Sequence, residues 1–227
     1  MSKFIAAAAA LAAATATLAS VPAAAATIEV TSGTGQRAFA LGFFGNAAGQ
    51  SFTAVDTALN SVGFQFEGLN PSFTGQSYTL TLVAGEALTG AALITRTFTL
   101  PTSINSRTPV WFDVNIGSVG VTLGQRYTAV LNSTDTRNGL VLGPNINLNT
   151  GQPVSGDAYL GGRALFATVP YANCNNTASS ICDLNFRVTG TTAVSPVPEP
   201  ATWTMLIGGF ALTGGALRRR RAARAFA

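Results

Sequence analysis

Histidine is absent from all 227 residues. That removes the Ser-His-Asp triad, the Cys-His dyad and His-ligated zinc, so most hydrolase mechanisms lose their base. Charge is scarce, at 10% Asp, Glu, Lys and Arg, while 47% of the chain is hydrophobic and 24 residues are glycine. Sparse charge among many Thr, Ser, Gly and Val residues fits a β-rich exported domain better than a cytosolic helical one. It also excludes disorder, which needs low hydrophobicity and high net charge. No self-similarity recurs at a fixed period, which argues against a β-helix or a propeller. No Cys-x-x-Cys redox motif is present.

The formal charge of +4 and pI near 9.6 come from the ends of the chain. Arg218, Arg219, Arg220, Arg221 and Arg224 lie in the last ten residues, and Lys3 lies near the start. Within residues 27–192, seven arginines face eight carboxylates, for a net charge of −1. A nucleic-acid partner is therefore not expected, because phosphate binding needs clustered basic charge on the folded surface.

Residues 1–26 read as a secretory signal peptide. Lys3 supplies a positive n-region, Phe4 to Leu18 an apolar h-region, and Pro22 with Ala23–Ala26 the small residues of a cleavage site. The other end has a different order: a Pro-rich linker (193–200) with Pro198-Glu199-Pro200, an apolar run (201–217), then a basic tail (218–227). As a helix, 201–217 would reach roughly 25 Å at about 1.5 Å per residue, the short end of a membrane span. Trp203 is placed for the outer interface, and Arg218 to Arg221 stop transfer on the cytoplasmic side. Gly208, Gly209, Gly214 and Gly215 weaken the span, which suits a temporary anchor; a permanent single-pass anchor is the alternative.

Pro198-Glu199-Pro200-Ala201-Thr202-Trp203, the glycine-broken span and the arginine cluster together resemble the PEP-CTERM sorting signal in its PEPxxW variant, over about residues 196–221. The resemblance implies processing by exosortase, a membrane protease or transpeptidase. It also implies an inner-membrane-anchored precursor that becomes a periplasmic, cell-surface or extracellular protein, often associated with exopolysaccharide.

Residues 27–192 alternate apolar and polar side chains repeatedly. Val62, Phe64, Phe66; Tyr78, Leu80, Leu82; Val110, Phe112, Val114, Ile116; Tyr127, Ala129, Leu131; and Leu184, Phe186, Val188 each define one face of a strand. Asn70-Pro71, Gly85, Gly124, Asn138-Gly139, Gly143-Pro144 and Gly161-Gly162 read as turns. Ten to twelve short strands predict an all-β, antiparallel sandwich or jelly roll with Phe64, Leu80, Phe112, Leu131 and Phe186 buried. Gly49-Gln50-Ser51-Phe52-Thr53-Ala54 and Asp157-Ala158-Tyr159-Leu160-Gly161-Gly162 resemble segments of secreted bacterial β-sandwich modules, which are generally uncharacterised or carbohydrate-binding-like.

Cys174 and Cys182 form one close pair in an exported chain, so a structural disulfide is expected. Trp111 lies on the polar face of its strand, while Tyr159 and Tyr171 flank Gly- and Asn-rich loops. All three are candidate sugar contacts; the bland reading is a Trp under a loop and tyrosines at the core edge. Asp135, Asp157 and Asp183 are the carboxylates a glycosidase would need, and Asp135 with Asn132 and Asn138 offers oxygen ligands for calcium. Ordinary turn and strand-edge roles weigh against both, so no cofactor and no metal site is expected. The overall expectation is a non-catalytic surface or matrix protein in contact with polysaccharide, with a carboxylate-dependent carbohydrate enzyme as the alternative.

Overall fold

A computed structural model describes residues 25–31, 38–69, 76–100, 104–145, 147, 152–172, 174–192 and 205–214. The alternating stretches become strands: β1 (Ala25–Val30), β2 (Ala38–Phe39), β3 (Ala47–Thr53), β4 (Ala58–Gly68), β5 (Ser77–Ala84), β6 (Ala92–Thr99), β7 (Val110–Gly120), β8 (Arg126–Asn132), β9 (Asn138–Gly143), β10 (Ala164–Phe166), β11 (Asp183–Leu184) and β12 (Phe186–Thr191). They build two antiparallel sheets. One has five strands in the order β10-β3-β8-β5-β6, and the other has seven strands centred on β4.

The long strand β4 organises the larger sheet. One edge pairs with β7 from Ala58 to Phe66. The other edge pairs with β12 up to Phe64 and with β9 from Phe66 onward. Strand β11 pairs with β9 and β12 with β4, so Asn185 sits where the chain changes partner. Its amide donates to the Val141 carbonyl and its carbonyl accepts from the Gln65 amide, which leaves no break in the ladder. The outermost strand, β1, pairs with β12, Ala25 opposite Thr191.

Phe64, Phe66 and Phe186 from the larger sheet meet Leu80, Leu82, Phe52 and Leu131 from the smaller, all essentially unexposed. Aromatic rings cross the gap: Phe66 and Tyr78 lie 5.1 Å apart edge to face, and Phe52 and Phe186 lie 6.4 Å apart. Each such buried side chain contributes about 1.5–3 kcal/mol over an exposed one. This is the antiparallel sandwich that the alternation implies.

Two details differ from the sequence reading. Phe112 is only half-buried, because β7 is a sheet edge; its ring stacks on Phe98 at 4.9 Å. Asn138-Gly139 is not a turn but the start of β9. The reversal falls earlier because the Asp135 carboxylate accepts from the Arg137 and Asn138 amides at 2.7 and 3.3 Å. That local bond fixes a tight turn before Asn138 and lets it enter the ladder.

The sandwich is one compact unit, Ala23–Ala193. In the tail, residues 205–214 are helical. No helix among the described residues is long and apolar enough to cross a membrane. The leader, the linker with Pro198-Glu199-Pro200, Trp203 and Arg218 to Arg221 lie outside the described residues.

Candidate functional site

The outer face of β7-β4-β12-β1 is a polar grid. Its middle row reads Asp113, Gly63, Arg187, Glu29, each opposite the next across neighbouring strands. Gly63 is the key to this row. A Cβ there would lie 2.2 Å from Asp113 Oδ1 and 3.0 Å from Arg187 Cγ. Without it, Arg187 reaches across β4. Its Nε donates to Asp113 Oδ1 at 2.6 Å and its Nη2 donates to Oδ2, while Glu29 stands 3.7 Å from the guanidinium on the other side. These bonds push the Arg187 pKa up, led by the hydrogen bond to Asp113. The guanidinium also lies over Trp111, 4.6 Å from the ring centroid.

The flanking rows complete the grid. Trp111 faces Gln65 in the ladder, and the Asn185 side-chain amide donates to Gln65 Oε1 at 2.8 Å. Asn115 faces Ser61, and Ser61 shares a 2.5 Å hydroxyl bond with Thr189. Asp113, Asn115 and Glu29 are exposed, and Trp111, Gln65, Ser61, Arg187 and Thr189 half-exposed. From strand spacings the three rows cover about 14 by 14 Å. The other two candidate aromatics point elsewhere: Tyr159 and Tyr171 are half-buried against the core. The Tyr159 ring sits edge-on to Phe186 at 5.3 Å, and its hydroxyl accepts from the Thr53 amide at 3.2 Å.

Of the three candidate aspartates, two come together. Asp157 Oδ1 and Asp183 Oδ2 both accept from the Tyr159 amide, at 2.9 and 3.1 Å. Asp183 is 1% exposed. Its other oxygen accepts from Gln50 Nε2 at 2.8 Å, and Gln50 Oε1 accepts from the Leu184 amide at 2.8 Å. Gln50 thus ties β3 of one sheet to β11 of the other. Burial, opposed by the Gln50 bond and reinforced by Asp157, pushes the Asp183 pKa up to about 8.

Asp135 sits apart, beyond the Asn138 end of β9, whereas Asp183 pairs with its Gly143 end. Besides the two turn amides, its carboxylate accepts from Tyr78 Oη at 2.5 Å and Asn138 Nδ2 at 2.9 Å. Four donors surround the group, so its oxygens are committed to the turn rather than aimed at a cation. Among the described residues there is no cluster of three or more metal-ligating acids or cysteines. Cys174 and Cys182 are disulfide-bonded and fully buried.

Sequence reasoning missed Gln50, Gly63, Arg187 and Glu67. The signal for Gly63 was present: a glycine inside a strand marks a close approach of another group. Glu67 is 4% exposed, with Oε2 lacking a hydrogen-bond partner. Burial, opposed by Arg107, raises its pKa to about 7.

The comparisons speak to the tail. Residues 196–221 match the PEP-CTERM protein-sorting motif. The chain carries a PEP-CTERM tail. Such a tail marks an exported, sorted surface protein, whose membrane-anchored precursor is processed to the cell surface, and its motif is the signal that exosortase recognises. No curated protein matches the chain. Among solved structures, one that aligns is described as the cysteine protease and lectin-like domains of Cwp84, a surface layer associated protein of Clostridium difficile. It shows 15% identity and a TM-score of 0.37, over 65% of this chain and 32% of that one. The present chain therefore spans about a third of that structure.

Proposed function

We propose that this PEP-CTERM protein is a non-catalytic surface protein that contacts extracellular polysaccharide through the outer face of β7-β4-β12-β1. The observation that carries the reading is the grid itself: one half-exposed indole among amide, hydroxyl, carboxylate and guanidinium groups on a flat sheet. Sugar rings need an apolar surface to lie on and hydrogen-bond partners around it, and the Trp111 rows offer both. The paired carboxylates argue the same way. A glycosidase needs its two carboxyl groups about 5–9 Å apart to admit sugar and water. Asp157 and Asp183 meet at one amide, beneath Tyr159, and leave no such gap.

The test is affinity electrophoresis of the protein through gels containing polysaccharide from a producing strain. Retardation that Trp111→Ala and Gln65→Ala each reduce several-fold supports the reading. Equal mobility with and without polysaccharide, or retardation untouched by either substitution, refutes it.

A further inference from the structure

The segment 152–163, between β9 and β10, lies against the sandwich as a strap. Its last residues are zipped to β3: the Arg163 amide donates to Ser51 Oγ, the Ser51 amide donates to the Arg163 carbonyl, and Thr53 Oγ1 donates to the Gly161 carbonyl. Arg163 is also paired with Glu86. The earlier part is held differently. Asp157 comes down onto Asp183, and the Tyr159 amide between them serves both carboxyl groups. One amide proton cannot neutralise two carboxylates.

We propose that the strap is a proton-operated latch: Asp183 holds a proton against Asp157 while the strap is closed, and loss of that proton frees residues 152–160 from the sandwich. Among the described residues, the groups facing Asp183 leave no other source of compensation. From β3 comes Gln50, which is neutral. From β9 come Gly143 and Leu142, its partners in the ladder. The strap contributes Asp157 and Tyr159; the phenol of Tyr159 lies within the field of both Asp183 and Arg126. Arg126 and Arg163 are both paired with Glu86. Asp183 therefore keeps its proton well above the ordinary carboxylate range, as burial and Asp157 both dictate.

The sign follows from proton linkage. The closed strap binds a proton that the open one releases above pH 4. Closure is therefore strongest in acid, weakens through neutrality and is lost as pH rises past about 8. In that window the opening constant should rise about tenfold per pH unit, the mark of a single proton. An exported domain meets external pH directly, so the latch would report acidification by staying shut.

The experiment is hydrogen exchange of the full chain in detergent from pH 5 to 9, corrected for the intrinsic rate. The 152–160 peptide should lose protection about tenfold per pH unit up to about pH 8 and level off above it, while the β8 peptide 126–132 does neither. Asp157→Asn keeps an acceptor for Tyr159 and adds an amide donor for Asp183. It should move the profile to lower pH, with burial of Asp183 keeping part of the shift. A flat wild-type profile, or a profile in Asp157→Asn that levels off at the same pH as wild type, overturns the latch. If that variant does not fold, the carboxyl carbon shift of Asp183 in labelled wild-type protein decides. A step near pH 8 supports the proposal, and a step in the ordinary carboxylate range overturns it.

Discussion

Replacing Gln50 by leucine should destabilise the sandwich far more than its single polar side chain suggests. The residue is fully buried on β3, and both ends of its amide are used: Nε2 on Asp183 and Oε1 on the Leu184 amide. Gln50→Leu keeps the volume but strands two partners away from water. An orphaned buried donor or acceptor costs about 1–3 kcal/mol. At pH 6 Asp183 is held protonated, so its penalty falls at the lower end, and a loss of about 3 kcal/mol is expected. For a domain of this size each kcal/mol moves Tm by about 2–4 °C, so the midpoint should fall by about 6–12 °C. Calorimetry of the wild type and variant at pH 6 is the assay. Gln50→Glu is the informative companion. Protonated, its carboxylic acid can serve both partners; ionised, it repels Asp183, so its deficit should grow as pH rises. A Gln50→Leu variant within 1 kcal/mol of wild type would refute the idea that this amide joins the sheets.

Three further expectations follow from particular residues. The Cys174–Cys182 bond closes a loop with a sequence separation of 8, so the double Ser variant should lose about 2.5 kcal/mol in the chain-entropy model, read by urea denaturation; a loss above 5 would mean that the bond supports more than its own loop. Glu67, with its pKa raised to about 7, contributes stability that is full below its unfolded value near 4.5 and lost as pH rises through 7; Glu67→Gln should flatten this part of the Tm–pH curve, and an unchanged curve counts against a buried protonated carboxyl. In a strain with exosortase, the mature C-terminal peptide should end near Pro198-Glu199-Pro200, whereas finding 201–217 in the mature protein by mass spectrometry would favour a permanent anchor.

The strands were legible because each needed only its own side chains to alternate, as in Tyr78, Leu80 and Leu82. Edge effects were not. Phe112 has the same local pattern as Phe64, and its partial exposure depends on which strand ends the sheet. The turn before Asn138 was misread because Asn-Gly is a strong hairpin signal, yet the Asp135 carboxylate had already satisfied the local amides. The disulfide was legible from two cysteines in an exported chain. The outer grid was half legible: Trp111 was visible as an aromatic on a polar face, but Arg187 reaching over Gly63 requires knowing that β12 lies beside β4. The meeting of Asp157 and Asp183 depends in the same way on how the strap folds back.

The pairing of β1 with β12 sets an order of events. The first strand to leave the export channel has its ladder partner in the last one, Thr27 opposite Thr189. Until β12 emerges, β1 has no neighbour, and the β4 edge from Ala58 to Phe64 stands open. Such distant pairing is slow to form, because the whole intervening chain must be gathered first. The sorting segment follows β12 directly in sequence, so the sheet completes only as that segment arrives at the membrane. A membrane-anchored precursor would keep the nearly closed domain at its exit point while the first and last strands zip together.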